Sequence, residues 1–201
     1  VLTIHTAGER GGAVAVDGAR IAAVGPYEEL AAVHPGARVR RWPGVLTPGL
    51  VNAYGPELLE AAYHPDPREA DELGTEPITG PALAALALTE ARRGGSARRG
   101  TQRLLAHGTV AVAGEPRTPA VRDAVRRAGL GVVPRAERPE GVPSLDPFAS
   151  GGPVVWAGPL RAGGPARFAV FDVPGLAELP ARGAAACVAT VLDGRLVYRA
   201  A

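Results

Sequence analysis

No lysine occurs in this sequence, and all 22 basic side chains are arginine. Schiff-base chemistry at a lysine is therefore excluded. Cysteine is almost as scarce: the single Cys187 permits no internal disulfide, rules out most thiolate metal sites and fits a reducing cytoplasm. No run approaches the ~20 apolar residues of a membrane-spanning helix. The first residues also lack the basic-then-apolar pattern of an export signal. A cytoplasmic location is the expectation, and a membrane partner is not expected. Charge of one sign is lacking too. The formal net charge is +2, with Arg interleaved among Asp and Glu, which disfavours a nucleic-acid surface.

Glycine and proline are abundant instead, at 27 and 20 residues, and they predict many turns and short elements. With the plentiful alanine and the all-arginine basic set, they give the composition of a GC-rich bacterial genome. A hydrophobic content of 46% at 21% charge is that of a soluble globular protein, and 201 residues suit one to two domains.

The first 42 residues read as short strands and turns. Val1 to Thr6 is β-prone, a Gly11-Gly12 turn follows, and Ala13 to Val16 runs into Asp17-Gly18, a hairpin signal. Arg20 to Gly25 is the returning strand. Pro26 to Val33 predicts a short helix with proline near its start and acids in its first turn, and Arg38 to Trp42 alternates as another strand. Near the other end, Arg167 to Val173 alternates, and Ala186 to Tyr198 predicts a second hairpin around Asp193-Gly194. In the middle, Ser96 to Ala113 reads as a helix capped by Ser96, a glycine stop and a buried strand. Thr118 to Gly129 predicts a capped helix with Pro119 at its first position, and Leu130 to Val133 the next strand.

The stretch Leu46-Thr47-Pro48-Gly49-Leu50-Val51-Asn52-Ala53-Tyr54-Gly55-Pro56 organises the rest. Together with the order of Val16-Asp17-Gly18 hairpin, helix and strand before it, it resembles metal-dependent amidohydrolases, imidazolonepropionases and related deaminases among them. In that family the segment passes from a β-sandwich into the first strand of a catalytic barrel. Gly158 to Ala166 is similar to the family's turn before its returning strands, although the family usually has Asp where Arg167 stands. The resemblance implies an α/β fold: a composite β-sandwich built from both termini, residues 1–48 and 154–201, joined to a truncated barrel remnant, residues 49–153. A complete barrel takes about 250 residues, so this chain is too short to hold one beside the sandwich. The middle resembles the family's barrel up to about its third strand. Residues 61–95 and 135–153 are left without a place.

The resemblance also implies a metal held by a His-x-His pair, but those positions read Tyr54 and Pro56. A phenol is a poor zinc ligand at neutral pH, and proline offers no side-chain donor. The carbamylated lysine that bridges two metals in binuclear members cannot form in a chain without lysine. No cofactor is expected on this basis. The alternative is a divalent ion in the polar stretch Tyr63-His64-Pro65-Asp66-Pro67-Arg68-Glu69, through His64, Asp66 and neighbouring carboxylates. The plainer reading there is a proline-rich loop whose charges are solvated or paired with arginine.

Glu57 and Glu60 follow the lost ligand positions and face the old barrel mouth as candidates for acid–base work. Capping the helix around Leu58-Leu59 explains them without chemistry. His107 stands one residue before the glycine that stops its helix, where an imidazole suits the last carbonyls. The pairs Arg92-Arg93 and Arg98-Arg99 could hold a phosphate, although the glycines between them read as a break in a solvated helix.

The leading expectation is an amidohydrolase-like protein that has lost metal-dependent catalysis and acts by binding or assembly. The alternative is a hydrolase of carbon–nitrogen bonds other than peptide bonds, with a rebuilt or shared site. A barrel stopped after about three strands leaves an open edge, so a homodimer is expected. A full-length enzyme is the other candidate partner.

Overall fold

The computed structural model describes residues 2–8 and 12–201. Val1 and Gly11, on which the first strand and the Gly11-Gly12 turn partly rest, lie outside them. In chain order come strands β1 (Thr3–Ala7), β2 (Gly12–Asp17) and β3 (Arg20–Pro26), helix α1 (Tyr27–Val33), and strands β4 (Arg38–Trp42), β5 (Val45–Pro48) and β6 (Leu50–Asn52). Next come helix α2 (Gly55–Leu59), β7 (Ala62–Tyr63), α3 (Ala70–Leu73), β8 (Ile78–Thr79), α4 (Gly80–Ala85) and the long α5 (Glu90–Ala106). The rest is β9 (Thr109–Ala113), α6 (Pro119–Ala128), β10 (Gly131–Val133), β11 (Val155–Trp156), β12 (Phe168–Phe171), α7 (Leu179–Arg182), β13 (Cys187–Leu192) and β14 (Arg195–Arg199).

Two of the sheets face each other. One has the order β3-β2-β1-β4 and comes from the N-terminal part. The other has the order β14-β13-β12-β5, so one strand from residues 45–48 forms the edge of a sheet otherwise made of C-terminal strands. Their inner faces share a core: Val14, Val16 and Ile21 pack with Ala166, Phe168 and Val191, and Ala7 packs with Val170 and Ala189. Backbone bonds add to the seam, since Ile21 N–H donates to Gly164 O at 2.9 Å and Gly163 N–H to Ile21 O at 2.8 Å. The β13–β14 turn is Asp193-Gly194, with φ of 48° and 74°. A two-residue hairpin loop whose twist matches its strands requires φ > 0 at both positions, which Asp-Gly supplies at little cost.

The third sheet has the order β10-β9-β6-β11. β6, β9 and β10 run parallel, and β11 adds antiparallel beside β6. Val155 and Trp156, expected with the sandwich, thus pair with this sheet. Parallel neighbours need a crossover connection, and helices supply it. α5 leads into β9, while α6 joins β9 to β10. Val110 and Val112 of β9 pack with Leu104 and Leu105 of α5 and Val121 and Val125 of α6. Leu50 of β6 packs instead with Ala169 and Phe171 of β12, joining the sheet to the sandwich. Arg167 strengthens that joint: Nε and Nη2 bind the Asp193 carboxylate at 2.9 and 2.7 Å, and Nη1 donates to Val110 O at 3.3 Å.

α5 departs from expectation. It begins at Glu90 rather than Ser96, and its cap is Thr89, whose Oγ1 accepts from Arg92 N–H at 3.3 Å. Three glycines stand in its interior, each costing about 1 kcal/mol relative to alanine. Here Gly94, Gly95, Ser96, Ala97 and Gly100 are all buried, making a turn of small residues that neighbouring elements approach closely from around the helix. Packing therefore overrides local preference. Of the segments without an expected place, 135–153 folds onto the sheet, while 61–95 contributes the separate β7–β8 pair beside α2 and α5. Asn52 Nδ2 donates to Ser144 O at 2.9 Å, and Leu145 and Phe148 pack against the cores on either side. No helix among the described residues is long and apolar enough to cross a membrane.

Candidate functional site

In parallel α/β sheets, side chains that act on ligands gather outside the carboxyl ends of the strands, where loops leave a crevice. β6, β9 and β10 end there at Asn52, Ala113 and Val133. Tyr54 follows β6 directly. Asn52 Oδ1 accepts its N–H at 3.0 Å, which fixes the turn into α2, and its ring lies in the core beside Leu58 and Leu104 at 2% exposure. The phenol donates to Glu140 O, in the loop that crosses above. Pro56 sits in the first turn of α2, where a missing N–H costs nothing, and its ring lies against Gly114. Neither position presents a metal donor.

Glu57 points into the mouth. Its carboxylate accepts from Arg135 Nη1 and Nη2 at 2.8 and 3.2 Å, while Arg135 Nη1 also donates to Ala53 O at 3.0 Å. Arg138 Nε stands 3.7 Å away. Burial pushes the Glu57 carboxyl up, but the Arg135 hydrogen bond, a backbone bond and the charges of Arg135 and Arg138 outweigh it and hold the group below its ordinary range. It is a fixed anion at neutral pH, in the first turn of α2. Glu60 has a cap role on another helix: its Oε1 accepts from Arg117 N–H at 2.8 Å and Thr118 N–H at 2.6 Å, at the start of α6. Thr118, the expected cap, makes no side-chain capping bond there.

His64 lies away from this mouth, 1% exposed between α2, β7 and α5. Its Nε2 donates to Leu58 O at 2.8 Å, so Nδ1 carries no proton in the neutral ring, and it has no partner. Burial first, then the charges of Arg103 and Arg99, lower its pKa against the opposing pull of the Leu58 carbonyl. A Cβ at position 100 would stand 2.8 Å from Nε2, so the histidine needs Gly100.

Asp66 caps the turn Pro67–Glu69 by accepting Arg68 N–H at 3.1 Å, and it also accepts from Arg99 Nη1 at 3.1 Å. Glu69 completes the capping box by accepting Asp66 N–H at 2.9 Å. It also accepts from Tyr63 Oη at 2.5 Å and Arg92 Nη2 at 2.7 Å. The Tyr63 hydrogen bond, the Asp66 N–H and Arg92 together bring its pKa down to about 2. Arg92 and Arg99 also lie over the Tyr63 ring at 5.1 and 5.9 Å.

Apart from the unpartnered His64 Nδ1, the polar stretch is thus a cap and ion-pair network. Among the described residues no three His, Cys, Asp or Glu side chains converge as ligands for one ion. The metal implied by the resemblance does not fit the donors present. His107 fills the role expected of it, ending α5 with Nδ1 2.8 Å from Arg103 O.

Sequence reasoning missed the arginines of the mouth. A cleft of about 790 Å³ is lined by Pro56, Glu57, Glu60 and Glu115 together with Arg117, Arg122, Arg135 and Arg138. The signal was positional, because Arg135 comes two residues after β10 and Arg117 lies between β9 and α6.

Residues 12–37, which span β2, β3, α1 and the turn after it, match the sequence profile of the imidazolonepropionase-like composite domain of bacteria. No curated protein matches the chain. Solved structures similar to part of it include an A. niger ochratoxinase, at TM-score 0.43 and 19% identity over 66% of this chain and 31% of that one. A guanine deaminase from Bradyrhizobium japonicum matches at TM-score 0.37 and 22% identity, over 61% and 27%. An adenosine deaminase from Xanthomonas campestris, with bound zinc, matches at TM-score 0.41 and 20% identity, over 65% and 33%. The chain spans about a third of the length of these structures.

Proposed function

The chain resembles metal-dependent amidohydrolases, most directly in the composite-domain segment 12–37, and from that premise we propose a protein that has lost metal-dependent catalysis and acts by binding or assembly. One observation carries this reading. Tyr54, at a former ligand position, is buried in the core with its hydroxyl committed to the Glu140 carbonyl. A ligand at that position would require Tyr54 to leave its packing and the crossing loop to lift.

Residues 1–48 and 154–201 are proposed as one unit that serves as the platform, with 49–153 presenting the mouth. The proposed assembly is a homodimer. β10 ends its sheet, and Val132 on that edge is 45% exposed. An unpaired strand edge is a ready template for a second chain.

Elemental analysis of protein purified without added metal tests the loss of the metal centre, paired with assays for ammonia or acid release from cyclic amides and amino-heterocycles. The expected outcome is no stoichiometric zinc, iron or nickel and no turnover. About one metal per chain, lost on His64→Ala or Asp66→Ala, would overturn it. Light scattering at micromolar concentration tests the dimer, and a monodisperse mass of 20.5 kDa would count against it.

A further inference from the structure

The two arginine groups near the parallel sheet differ in what already neutralises them. Around Tyr63, Arg92 and Arg99 are each paired with a carboxylate, Glu69 at 2.7 Å and Asp66 at 3.1 Å. At the mouth only Arg135 has a close carboxylate partner, Glu57 at 2.8 Å. Arg138 is 68% exposed and reaches the same carboxylate only at 3.7 Å. Arg117 and Arg122 are exposed and have no carboxylate within ion-pair distance among the described residues. Arg122 spends one guanidinium nitrogen on Arg117 O, which holds the loop between β9 and α6 against the helix. Of the acids in the cleft, Glu57 serves Arg135, and Glu60 serves two backbone N–H groups. Glu115, exposed on the rim, is the remaining negative group.

We propose that this cleft binds a small molecule through an oxyanion group, a carboxylate or a phosphate, received by Arg117, Arg122 and Arg138 around the fixed Glu57–Arg135 pair. Three features favour it. The cleft lies in the crevice at the carboxyl end of parallel strands, where open α/β sheets take ligands. A planar guanidinium fork matches carboxylate and phosphate alike. The pair in the floor also holds Arg135 by a second bond to Ala53 O, so the site is shaped before a ligand arrives. The Glu57 carboxylate itself occupies the Arg135 fork, so the same structure shows the recognition chemistry with an internal anion. Uptake of a ligand there gives the binding role proposed above a chemical class, and the inference rests on that reading.

Isothermal titration of the full chain at low salt with inorganic phosphate, and separately with succinate, tests it. Saturable binding of either is expected, weakening as salt rises. Arg117→Gln with Arg122→Gln should reduce affinity about tenfold or more, as loss of charge-assisted bonds does. Arg138→Gln, at a side chain too exposed to govern folding, should reduce it as well. Arg161→Gln, on an exposed turn of the sandwich, should leave it unchanged. Circular dichroism of each variant separates lost binding from lost folding. No saturation by either anion, or equal affinity in the folded arginine variants, overturns the proposal. The two readings fail separately: turnover with bound metal would refute loss of catalysis whether or not anions bind, while absence of anion binding would leave that loss standing.

Discussion

The sandwich and the parallel sheet beside it hold their strands in opposite ways. In the sandwich, two four-stranded sheets cover each other, and Ile4, Phe168 and Val191 are fully buried between or beneath them. In the parallel sheet, α5 and α6 cover the Val110–Val112 face, yet β10 remains a bare edge and the strand ends open into a charged cleft. The closed region holds the fold together, and the open one leaves groups unspent. That difference says where change is tolerated and where a ligand can act.

The strongest way to break the contrast is to remove half of the closed region. Deleting Arg167 to Ala201 strips β12, β13 and β14 from β5 and exposes the inner face of β2 and β3. The remaining chain is expected to be insoluble or to unfold without a cooperative transition, and a soluble, sharply melting 1–166 fragment would reverse the argument.

Single substitutions sharpen the comparison. Phe168→Ala, at a fully buried site, should cost about 3–5 kcal/mol in urea unfolding. Val132→Ser on the open edge should change stability by only about 0.5 kcal/mol. If the two costs are equal, the open edge is covered in solution, which is what the homodimer requires, and a mass measurement on the same sample then decides.

Arg167→Ala cuts the tie between the regions. The pair with Asp193 is bidentate, but the side chains are 25% and 43% exposed. After allowance for screening, the expected loss is about 1 kcal/mol. It should be matched by Asp193→Asn, which removes the charge but tolerates the left-handed φ of that turn, and it should not double in the double variant.

Stability also depends on pH. In the sandwich His5, 3% exposed, has its pKa lowered from 6.5 to about 4 by burial first and Arg40 second. The folded state therefore binds fewer protons than the unfolded chain between those values. Its contribution is whole above about pH 6.5 and is lost as pH falls toward 4. Glu69 beside the parallel sheet, lowered to about 2, begins to lose its contribution only below about pH 4.5. The melting temperature should thus fall between pH 7 and pH 5 by a few degrees. His5→Gln should reduce that fall, the remainder coming from buried His64, whose pKa is also lowered, whereas Glu69→Gln should not.

Much of the closed region could be read locally, because its determinants are local. Asp193-Gly194 fixes its turn through φ, and a short apolar run such as Phe168 to Phe171 reads as a strand by itself, although its burial on both faces came only from the packing of the sandwich against the parallel sheet. β9 and α6 were legible for similar reasons: a run of apolar residues, and Pro119 and Gly129 at the two ends of a helix. Residues 61–95 were not legible, because nothing in Arg92-Arg93-Gly94-Gly95-Ser96 announces a helix interior. Those glycines become favourable only when neighbouring elements press against them.

The sequence by itself settled the residue types that chemistry could use: no lysine, one cysteine, and Tyr54 and Pro56 where the resembling family has metal ligands. Those are identities, and folding cannot alter them. Only the tertiary structure decided how the charged side chains are spent. Glu57 and Arg135 lie 78 positions apart, and Glu60 reaches Thr118 across 58. Whether a carboxylate is a free base, a helix cap or half of an ion pair depends on which distant groups come within hydrogen-bonding reach. No local pattern encodes that distance; it follows from the crossing of strands and helices that brings the chain's remote parts to one mouth.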